Sequence, residues 1–142
     1  HGLTAGINYS NLDAKYTEYK CAAGDCAGNF LPRSPENTLS LSLAYETNLG
    51  SNLMSWELDY FDSAEQYYEP SNPSIELQPS FDYMDARVSI KNPDGDWRIT
   101  VWAKNMDDSV VMSSAVGVGS LAQRYVTYTP PKTYGITFVR NF

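Results

Sequence analysis

The sequence is poor in histidine, cysteine and positive charge, and it has no long hydrophobic run. The only histidine is His1, and the longest apolar stretch lies around residues 110–112. A helical membrane protein is excluded, because a spanning helix needs about 20 apolar residues. The chain has 10 Lys and Arg against 17 Asp and Glu, a formal charge of −7. Nucleic acid is not an expected partner, since no net positive field exists to attract phosphates.

The start of the sequence lacks an initiator methionine and the successive basic, apolar and small-residue regions of a signal peptide. We therefore expect a piece of a longer polypeptide. Aromatic residues, by contrast, are abundant, with 11 Tyr, 5 Phe and 3 Trp in 142 residues. Such bulky, partly amphipathic groups suit boundaries between water and apolar surroundings, so disorder is not expected.

Alternation of apolar and polar residues predicts six β-strands and no helix. The pattern has a period of two, which gives each strand one apolar and one polar face. It is regular in five segments, 39–45, 56–60, 83–90, 97–104 and 133–138. A sixth segment, 3–18, changes parity in the middle, which predicts a β-bulge near Asn11.

The connections between these strands are alternately short and long. Residues 48–52 and 92–96 are rich in Gly, Asn and Asp and predict tight hairpin turns. Residues 19–34, 63–80 and 106–131 are long, polar and aromatic. Long loops at one end and tight turns at the other are typical of a transmembrane β-barrel in an outer membrane. The predicted fold is therefore an all-β, antiparallel, up-and-down barrel segment.

Two observations favour the barrel over a soluble β-sandwich that binds a ligand, which is the alternative interpretation. The polar faces mix both signs of charge, as a water-filled or plugged lumen does, and aromatic residues such as Tyr45, Trp56 and Trp97 lie near strand ends. The sandwich would instead bury Leu39, Leu41 and Leu43 between two sheets. Six strands cannot close a barrel, since the smallest have eight, so further strands must come from elsewhere.

Several strings of the chain resemble the C-terminal part of a TonB-dependent outer-membrane receptor. The string LPRSPENT at 31–38 enters a strand as in that family, and YMDARV at 83–88 resembles one of its strands. The string WRITVWAKNMDD at 97–108 and the string PKTYGITF at 131–138, followed by the terminal Phe142, resemble its last strands. The order and spacing of these strings cover nearly the whole chain.

This resemblance implies that residues 1–142 are the C-terminal portion of a 22-stranded barrel. The earlier strands, the N-terminal plug and the segment that contacts TonB, the TonB box, are then absent from the chain. The implied function is active uptake of a scarce nutrient, most often a ferric siderophore, energised through TonB, in the outer membrane of a Gram-negative bacterium. The implied partners are TonB, the siderophore, outer-membrane lipid and the barrel-assembly machinery, and no cofactor is implied.

Two groups of residues are candidates for specific roles in the loops. Cys21 and Cys26 frame a short segment of a loop expected outside the cell, where disulfides persist, so we predict a structural disulfide rather than a redox or metal site. Aromatic and basic loop residues could stack on a ligand ring or complement an anionic iron complex. The ligand-binding candidates are Tyr67, Tyr68, Arg124, Tyr125 and Tyr128. Each of them could equally pack its own loop or meet lipopolysaccharide.

No catalytic or metal site is predicted. Glu57 and Asp59 lie two residues apart on one strand face and could be interpreted as a glycosidase acid/base pair, but no nucleophile motif accompanies them. The acidic residues of 94–96 and 107–108 do not have the spacing of a calcium loop. We therefore expect a receptor and not an enzyme.

The resemblance also assigns a role to the last residue and an orientation to the loops. Phe142 stands where outer-membrane barrels carry the aromatic residue read by the assembly machinery, and we predict that it is an assembly signal. The turns at Gly50 and Gly95 are expected to face the periplasm. The loops that contain Cys21, Tyr67 and Tyr125 are expected to face outside.

Overall fold

The computed structural model describes residues 2–118 and 123–142, so the single histidine, His1, lies outside the described residues. This part of the chain is almost entirely antiparallel β-structure, with one 3₁₀ turn at Ser74–Glu76. Within it, no helix has the length and apolar character needed to cross a membrane. The strands are β1 (Gly2–Asn11), β2 (Lys20–Cys21), β3 (Gly24–Asp25), β4 (Asn37–Leu49), β5 (Asn52–Ser63), β6 (Gln66–Tyr67), β7 (Leu77–Gln78), β8 (Phe81–Lys91), β9 (Trp97–Lys104), β10 (Met112–Val118), β11 (Gln123–Tyr128) and β12 (Thr133–Arg140).

The six long strands form one sheet in the order β1-β4-β5-β8-β9-β12. Each long strand is antiparallel to the next one along the chain, which confirms the predicted up-and-down arrangement of six strands. The sheet is open, with β1 and β12 at its edges. The small hairpins β2–β3, β6–β7 and β10–β11 lie within the long connections.

Tight turns close one end of the sheet, as the Gly, Asn and Asp content predicts. Gly50 and Ser51 join β4 to β5, and Gly50 has a φ of 63°, a left-handed conformation that glycine adopts without strain. Between β8 and β9, the Asn92 side chain accepts a hydrogen bond from the Trp97 N–H at 3.0 Å. Gly95 in the same turn has a φ of 77°.

The three long connections all leave the opposite end of the sheet. Register pairs Asn11 with Asn37, Ser63 with Phe81 and Lys104 with Thr133, so each pair marks the base of one loop. We call residues 12–36 the first loop, 64–80 the second loop and 105–132 the third loop. Together their described residues form the loop layer.

Strand register sorts the side chains into an apolar face and a polar face. One row of cross-strand neighbours on the apolar face is Leu3, Tyr45, Trp56, Val88, Val101 and Ile136. The adjacent row on the polar face contains Glu57 and Arg87, which form an ion pair. Alternation of side chains across a strand produces both rows from the same backbone.

The apolar face is exposed on β1, β4, β5, β9 and β12 and half-buried on β8. Leu41 and Leu43 are 39% and 44% exposed, and Ile7 and Ile136 are exposed more fully. A soluble sandwich needs these leucines buried between two sheets, and the described residues provide no second layer over them. The sandwich interpretation is therefore wrong for this chain.

The bulge expected near Asn11 is not present. β1 pairs with β4 without interruption from Gly2 opposite Glu46 to Asn11 opposite Asn37, and the strand ends there. The change of parity marks the start of the first loop, where the Leu12 N–H donates to the Glu36 carbonyl at 2.8 Å. The described sheets do contain a register shift elsewhere, in β10 between Met112 and Ser114.

Candidate functional site

The buried apolar side chains of the described residues lie in the loop layer and not in the sheet. They are Cys26, Val111, Met112 and Ala115, and the buried Glu76 and Gln78 are in the same layer. Loops that bury side chains and bond to one another hold a defined shape. The loop layer is therefore where side chains of the chain are held in defined positions.

The first loop is closed on itself by the predicted disulfide. Cys21 and Cys26 are bonded, their Cα atoms are 6.0 Å apart, and Cys26 is 2% exposed. Close to this segment, the Lys15 ammonium lies 2.9 Å from an Asp13 carboxylate oxygen and 4.7 Å from the centre of the Phe30 ring. The hydrogen bond to Asp13 raises the pKa of Lys15. Lys15 stays a cation over the aromatic ring at physiological pH.

Asn72 joins the second loop to the first. Its side-chain oxygen accepts a hydrogen bond from the Phe30 N–H at 2.7 Å, and its side-chain nitrogen donates to the Phe30 carbonyl at 3.0 Å. Asn72 has a φ of 48°, a left-handed conformation that asparagine tolerates better than most residues. Beside it, the Tyr67 ring stacks on Phe30 with centroids 6.3 Å apart. The Tyr67 carbonyl accepts the N–H of Arg33 at 2.8 Å.

Met112 is the point where the second loop meets the third. Its N–H donates to the Gln78 side-chain oxygen at 2.6 Å, and its carbonyl accepts a hydrogen bond from the Tyr68 hydroxyl. Burial raises the pKa of Tyr68, although the nearby Arg33 opposes this effect. Tyr68 is therefore a neutral donor at physiological pH, and it ties its own loop to the next one.

A buried ion pair adds a second link between these two loops. Arg124 of β11 pairs with Glu76, which is fully buried, and also lies 3.7 Å from a Glu69 carboxylate oxygen. The Arg124 side chain is 31% exposed. Gly117 lies beside this cluster, and a Cβ there would come within 2.7 Å of the Glu69 oxygen and 2.9 Å of an Arg124 nitrogen. A larger residue at 117 would therefore have to displace the ends of the Glu69 and Arg124 side chains.

Asn105 anchors the third loop to the end of the sheet. It has a φ of 50°, and its side chain donates to the carbonyls of Ser109 and Pro130 at 2.9 and 3.3 Å, so it bonds to both ends of the loop. Its own N–H donates to an Asp85 oxygen at 2.9 Å. Asp108 similarly accepts the Lys132 N–H at 2.9 Å. The family resemblance includes this Asn without giving it a role; an Asn directly after a predicted strand, with Asp107 and Asp108 close behind it, was the available signal.

The five predicted ligand-binding residues fall into two groups. Tyr67, Tyr68 and Arg124 are engaged in the contacts that hold the loops together. Tyr125 and Tyr128 are 64% and 57% exposed on β11. Contact with a ligand stays a prediction for all five, and the exposed pair is the better placed to make it.

Several acidic residues that the sequence singled out lie on the polar face or in its tight turn. Glu57 is paired with Arg87 on the neighbouring strand, and Asp59 lies directly opposite Asp85. Asp94 and Asp96 belong to the tight turn between β8 and β9. An acid/base pair for glycoside hydrolysis needs two carboxyl groups that flank a bound sugar, and the Glu57 carboxylate is already held by a cation.

A groove lies where the polar face meets the third loop. Its volume is about 490 Å³, and its lining includes Tyr83, Asp85, Trp102, Lys104, Val111 and Pro130. Grooves of roughly 300–1,000 Å³ with aromatic walls and a few polar groups are typical of small-molecule sites. Next to it at the loop end of β5 and β8, an aromatic cluster joins Phe61 to Tyr83 and Phe81, with centroids 5.4 and 6.0 Å apart.

Comparison with known proteins identifies the sheet. The sequence model of the family described as TonB dependent receptor-like, beta-barrel, matches residues 2–106. No curated protein matches the chain in sequence. Three solved structures share its fold at 17% sequence identity, so they are evidence for the fold alone.

These structures are all described as receptors. The ferric yersiniabactin uptake receptor FyuA of Yersinia pestis has a TM-score of 0.78, with 99% of this chain and 21% of that chain covered. The siderophore receptor PiuA of Acinetobacter baumannii has a TM-score of 0.72, with 96% of this chain and 19% of that chain covered. The ferric preacinetobactin receptor BauA of the same species has a TM-score of 0.69, with 94% of this chain and 19% of that chain covered. The chain thus spans about a fifth of the length of these receptors. The match over residues 2–106, together with the open antiparallel sheet and its two contrasting faces, establishes that the chain belongs to the TonB-dependent receptor β-barrel family.

Proposed function

We propose that this chain is part of the wall of an outer-membrane receptor that takes up a ferric siderophore. The observation that supports this most directly is the apolar face, which is exposed on five of the six long strands and half-buried on β8, while the opposite face carries an ion pair. In a bilayer the first face contacts hydrocarbon and the second faces the lumen. The backbone groups of β1 and β12 would be paired by the remaining strands of the barrel, because unpaired groups in hydrocarbon are costly.

The proposed substrate class is inferred from the solved receptors that share the fold, and the proposed energy source is inferred from the family. The solved receptors that share the fold are described by their ferric siderophore or siderophore ligands. Uptake energised through TonB is the activity expected of the family, and the plug and the segment that contacts TonB would lie in parts of the receptor outside residues 1–142. We further propose contact with outer-membrane lipid, insertion by the barrel-assembly machinery and no catalytic activity.

Growth of a deletion strain tests the substrate class. The strain is supplied with single iron sources, each a different ferric siderophore, and in parallel with cobalamin and with glycans as sole carbon source. We expect loss of growth on one or a few ferric siderophores and restoration by the full-length gene. A defect confined to cobalamin or glycans would overturn the siderophore assignment while leaving the receptor assignment in place.

Single cysteine substitutions test the proposed orientation. Tyr125 is 64% exposed, and Gly50 lies in a tight turn at the other end of the sheet. A membrane-impermeant thiol reagent added to whole cells should label the Tyr125→Cys or Tyr67→Cys receptor and spare Gly50→Cys. Wild-type receptor serves as the control for background labelling. The opposite labelling would invert the proposed topology.

The exposed tyrosines of β11 are proposed ligand contacts. Tyr125 and Tyr128 present aromatic surface without a stacking partner among the described residues. Substitution of both by alanine should weaken binding of the transported siderophore by the purified receptor without changing the amount of folded protein. Unchanged affinity in this double variant would show that the two tyrosines do not contact the siderophore.

A further inference from the structure

The apolar face of the sheet is bounded by polar side chains at both ends. On β5, the side chains of this face between Asn52 and Asp62 are all apolar. A length of ten residues separates the two, which is about 34 Å at roughly 3.4 Å per residue. A barrel strand tilted by about 40° would cover about 26 Å of bilayer thickness at that length, and the apolar band of such barrels is about 25 Å tall. The row of cross-strand neighbours that contains Asn52 therefore lies at the edge of the hydrocarbon, on the tight-turn side.

An arginine and a tryptophan lie side by side at this edge. Arg140, the last residue of β12, is directly opposite Trp97, the first residue of β9, and both belong to the apolar face. The register that joins β5 to β12 places Arg140 in the same row as Asn52. An arginine on the lipid face of a barrel is costly at the bilayer midplane and tolerated near the interface. Arg140 is therefore at the depth of the lipid headgroups.

Both side chains have hydrogen-bond donors that no protein group uses. Among the described residues, neither the Arg140 guanidinium nor the Trp97 indole N–H makes an ion pair or a hydrogen bond. The guanidinium carbon lies 5.3 Å from the centre of the Phe142 ring, which offers it no acceptor atom. The acidic residue next to Trp97 is Asp96, and its carboxylate is 3.5 Å from the Asn92 side-chain nitrogen. The pair thus presents a charged fork and an indole N–H to whatever lies outside the sheet.

The chain on either side of Arg140 is fixed. Val139 is paired with β9, and the Asn141 N–H donates to the Asp96 carbonyl at 2.7 Å. The Asn141 side chain also donates to the Gly95 carbonyl at 3.1 Å. The backbone at Arg140 is therefore held between the sheet and the tight turn, so little conformational entropy is lost when its side chain binds a partner.

We propose that Arg140 and Trp97 bind the phosphate of an anionic phospholipid in the leaflet on the tight-turn side. The planar guanidinium donates two N–H groups to phosphate oxygens, and the indole N–H donates to the phosphate or to a glycerol ester carbonyl. An anionic headgroup is preferred because a zwitterionic one carries its own ammonium group beside the phosphate, which weakens the attraction to Arg140. This inference rests on the proposed function, in which the sheet is part of an outer-membrane barrel.

The test titrates purified full-length receptor in nonionic detergent with phosphatidylglycerol or with phosphatidylethanolamine of the same acyl chains. Native mass spectrometry counts the lipids that stay bound, and we expect one phosphatidylglycerol to bind more tightly than any phosphatidylethanolamine. Arg140→Gln should weaken this binding about tenfold, because a charged hydrogen-bonded contact is lost, and Arg140→Lys should recover part of it. Trp97→Phe, which removes one N–H group, should weaken it about threefold. Arg98→Gln is the matched control, since Arg98 is next to Trp97 but on the polar face.

Two results would overturn the proposal. One is equal affinity for phosphatidylglycerol in wild-type and Arg140→Gln receptors that both show the heat-modifiable gel migration of a folded barrel, because the bound lipid would then be nonspecific. The other is displacement of the lipid by inorganic phosphate at a comparable concentration, which would assign the site to the free anion. Either result with normal uptake of a ferric siderophore would reject this site alone. A receptor that stays monodisperse without detergent and binds neither lipid would reject the proposed function as well.

Discussion

In the six-stranded sheet most large apolar side chains are exposed, whereas the buried apolar side chains of the described residues all lie in the loop layer. Leu43 in the centre of β4 is 44% exposed, and Met112 in the third loop is 9% exposed. The sheet is held by the hydrogen bonds between its strands. Its apolar face has no protein layer over it among the described residues and would be stabilised by an apolar environment. The loop layer is held by side-chain contacts among its described residues, such as those of Asn72, Met112 and Arg124. The contrast indicates that the loops keep their shape by internal packing, and that the sheet depends on its environment.

The described residues of the long loops contain regular structure of their own. Connections longer than about 12 to 15 residues without structure are uncommon in compact domains. Here each one contains a small hairpin, and Asn72, Met112 and Arg124 join neighbouring loops. A ligand would therefore meet a surface that is largely preformed, which lowers the entropic cost of binding.

The largest effect is expected from Arg124→Met, which breaks the buried ion pair in the loop layer. Fully buried Glu76 would lose its cation, and removal of one partner of a buried pair costs roughly 3–5 kcal/mol. We expect the lower end, about 3 kcal/mol, because the Arg124 side chain is 31% exposed. Hydrogen exchange of the full-length receptor should show faster exchange in β6 and β10 and unchanged exchange in the sheet.

Two variants serve as controls for that result. Arg98→Met removes an arginine of the polar face that makes no ion pair within the described residues, and it should have little effect. The double variant Arg124→Met with Glu76→Gln removes both charges and should recover part of the loss. If Arg124→Met changes loop exchange no more than Arg98→Met, the ion pair does not hold the two loops together.

The next effect concerns the sheet and separates its two faces. Leu43→Lys places a charge on the apolar face in the middle of β4, which in a bilayer costs about 2–4 kcal/mol. Ala44→Lys, one residue along, places the same charge on the polar face opposite Glu57 and should cost less than about 1 kcal/mol. Urea unfolding of full-length receptor in lipid vesicles measures both. A larger loss for Ala44→Lys would mean that the faces are assigned the wrong way round.

A smaller and more local effect is expected from removal of the disulfide. Cys21→Ser with Cys26→Ser opens a short closed loop, for which the chain-entropy estimate is about 2 kcal/mol. The change should appear as faster proteolysis within the first loop under nonreducing conditions, and reduced wild type should behave like the variant. A shift in the urea midpoint of the sheet would show that the first loop contributes to barrel stability as well.

The strands and tight turns could be predicted because their signals are local. Alternation of apolar and polar residues along β4 predicts which side chains share a face of the sheet. The glycines at 50 and 95 predict the positions of the tight turns. The same reasoning misplaced the bulge at Asn11, because Leu12 and Ala14 continue an alternating pattern after the backbone has left the sheet. A period of two in side chains does not by itself show that hydrogen-bonded pairing continues.

The loop layer could be predicted only in part. The Cys21–Cys26 disulfide followed from short spacing, but the pairing of Arg124 with Glu76 joins two loops that are distant in the sequence. Nothing local distinguishes Glu76 from the other acidic residues of the chain. The seat of Trp102 on Gly135 is likewise a cross-strand contact that appears only after β9 and β12 are in register.

The smallest effect on folded-state stability is expected from deletion of Phe142, which the resemblance assigns to assembly. β12 ends at Arg140, and Phe142 lies beyond it with a fully exposed ring, contacted by the Arg140 guanidinium at 5.3 Å from its centre. Because the ring buries so little surface within the chain, its loss should not lower the urea midpoint of receptor that has already folded. It should reduce the amount of folded receptor in the outer membrane, since β12 must be delivered to complete a barrel with no free edges.

Tyr134→Ala, which removes another exposed ring of β12 near the loop end, is the matched control. Normal surface levels and normal ligand affinity in the Phe142 deletion would show that the residue is a frayed end, whereas lowered surface levels with unchanged affinity would support a role in assembly alone.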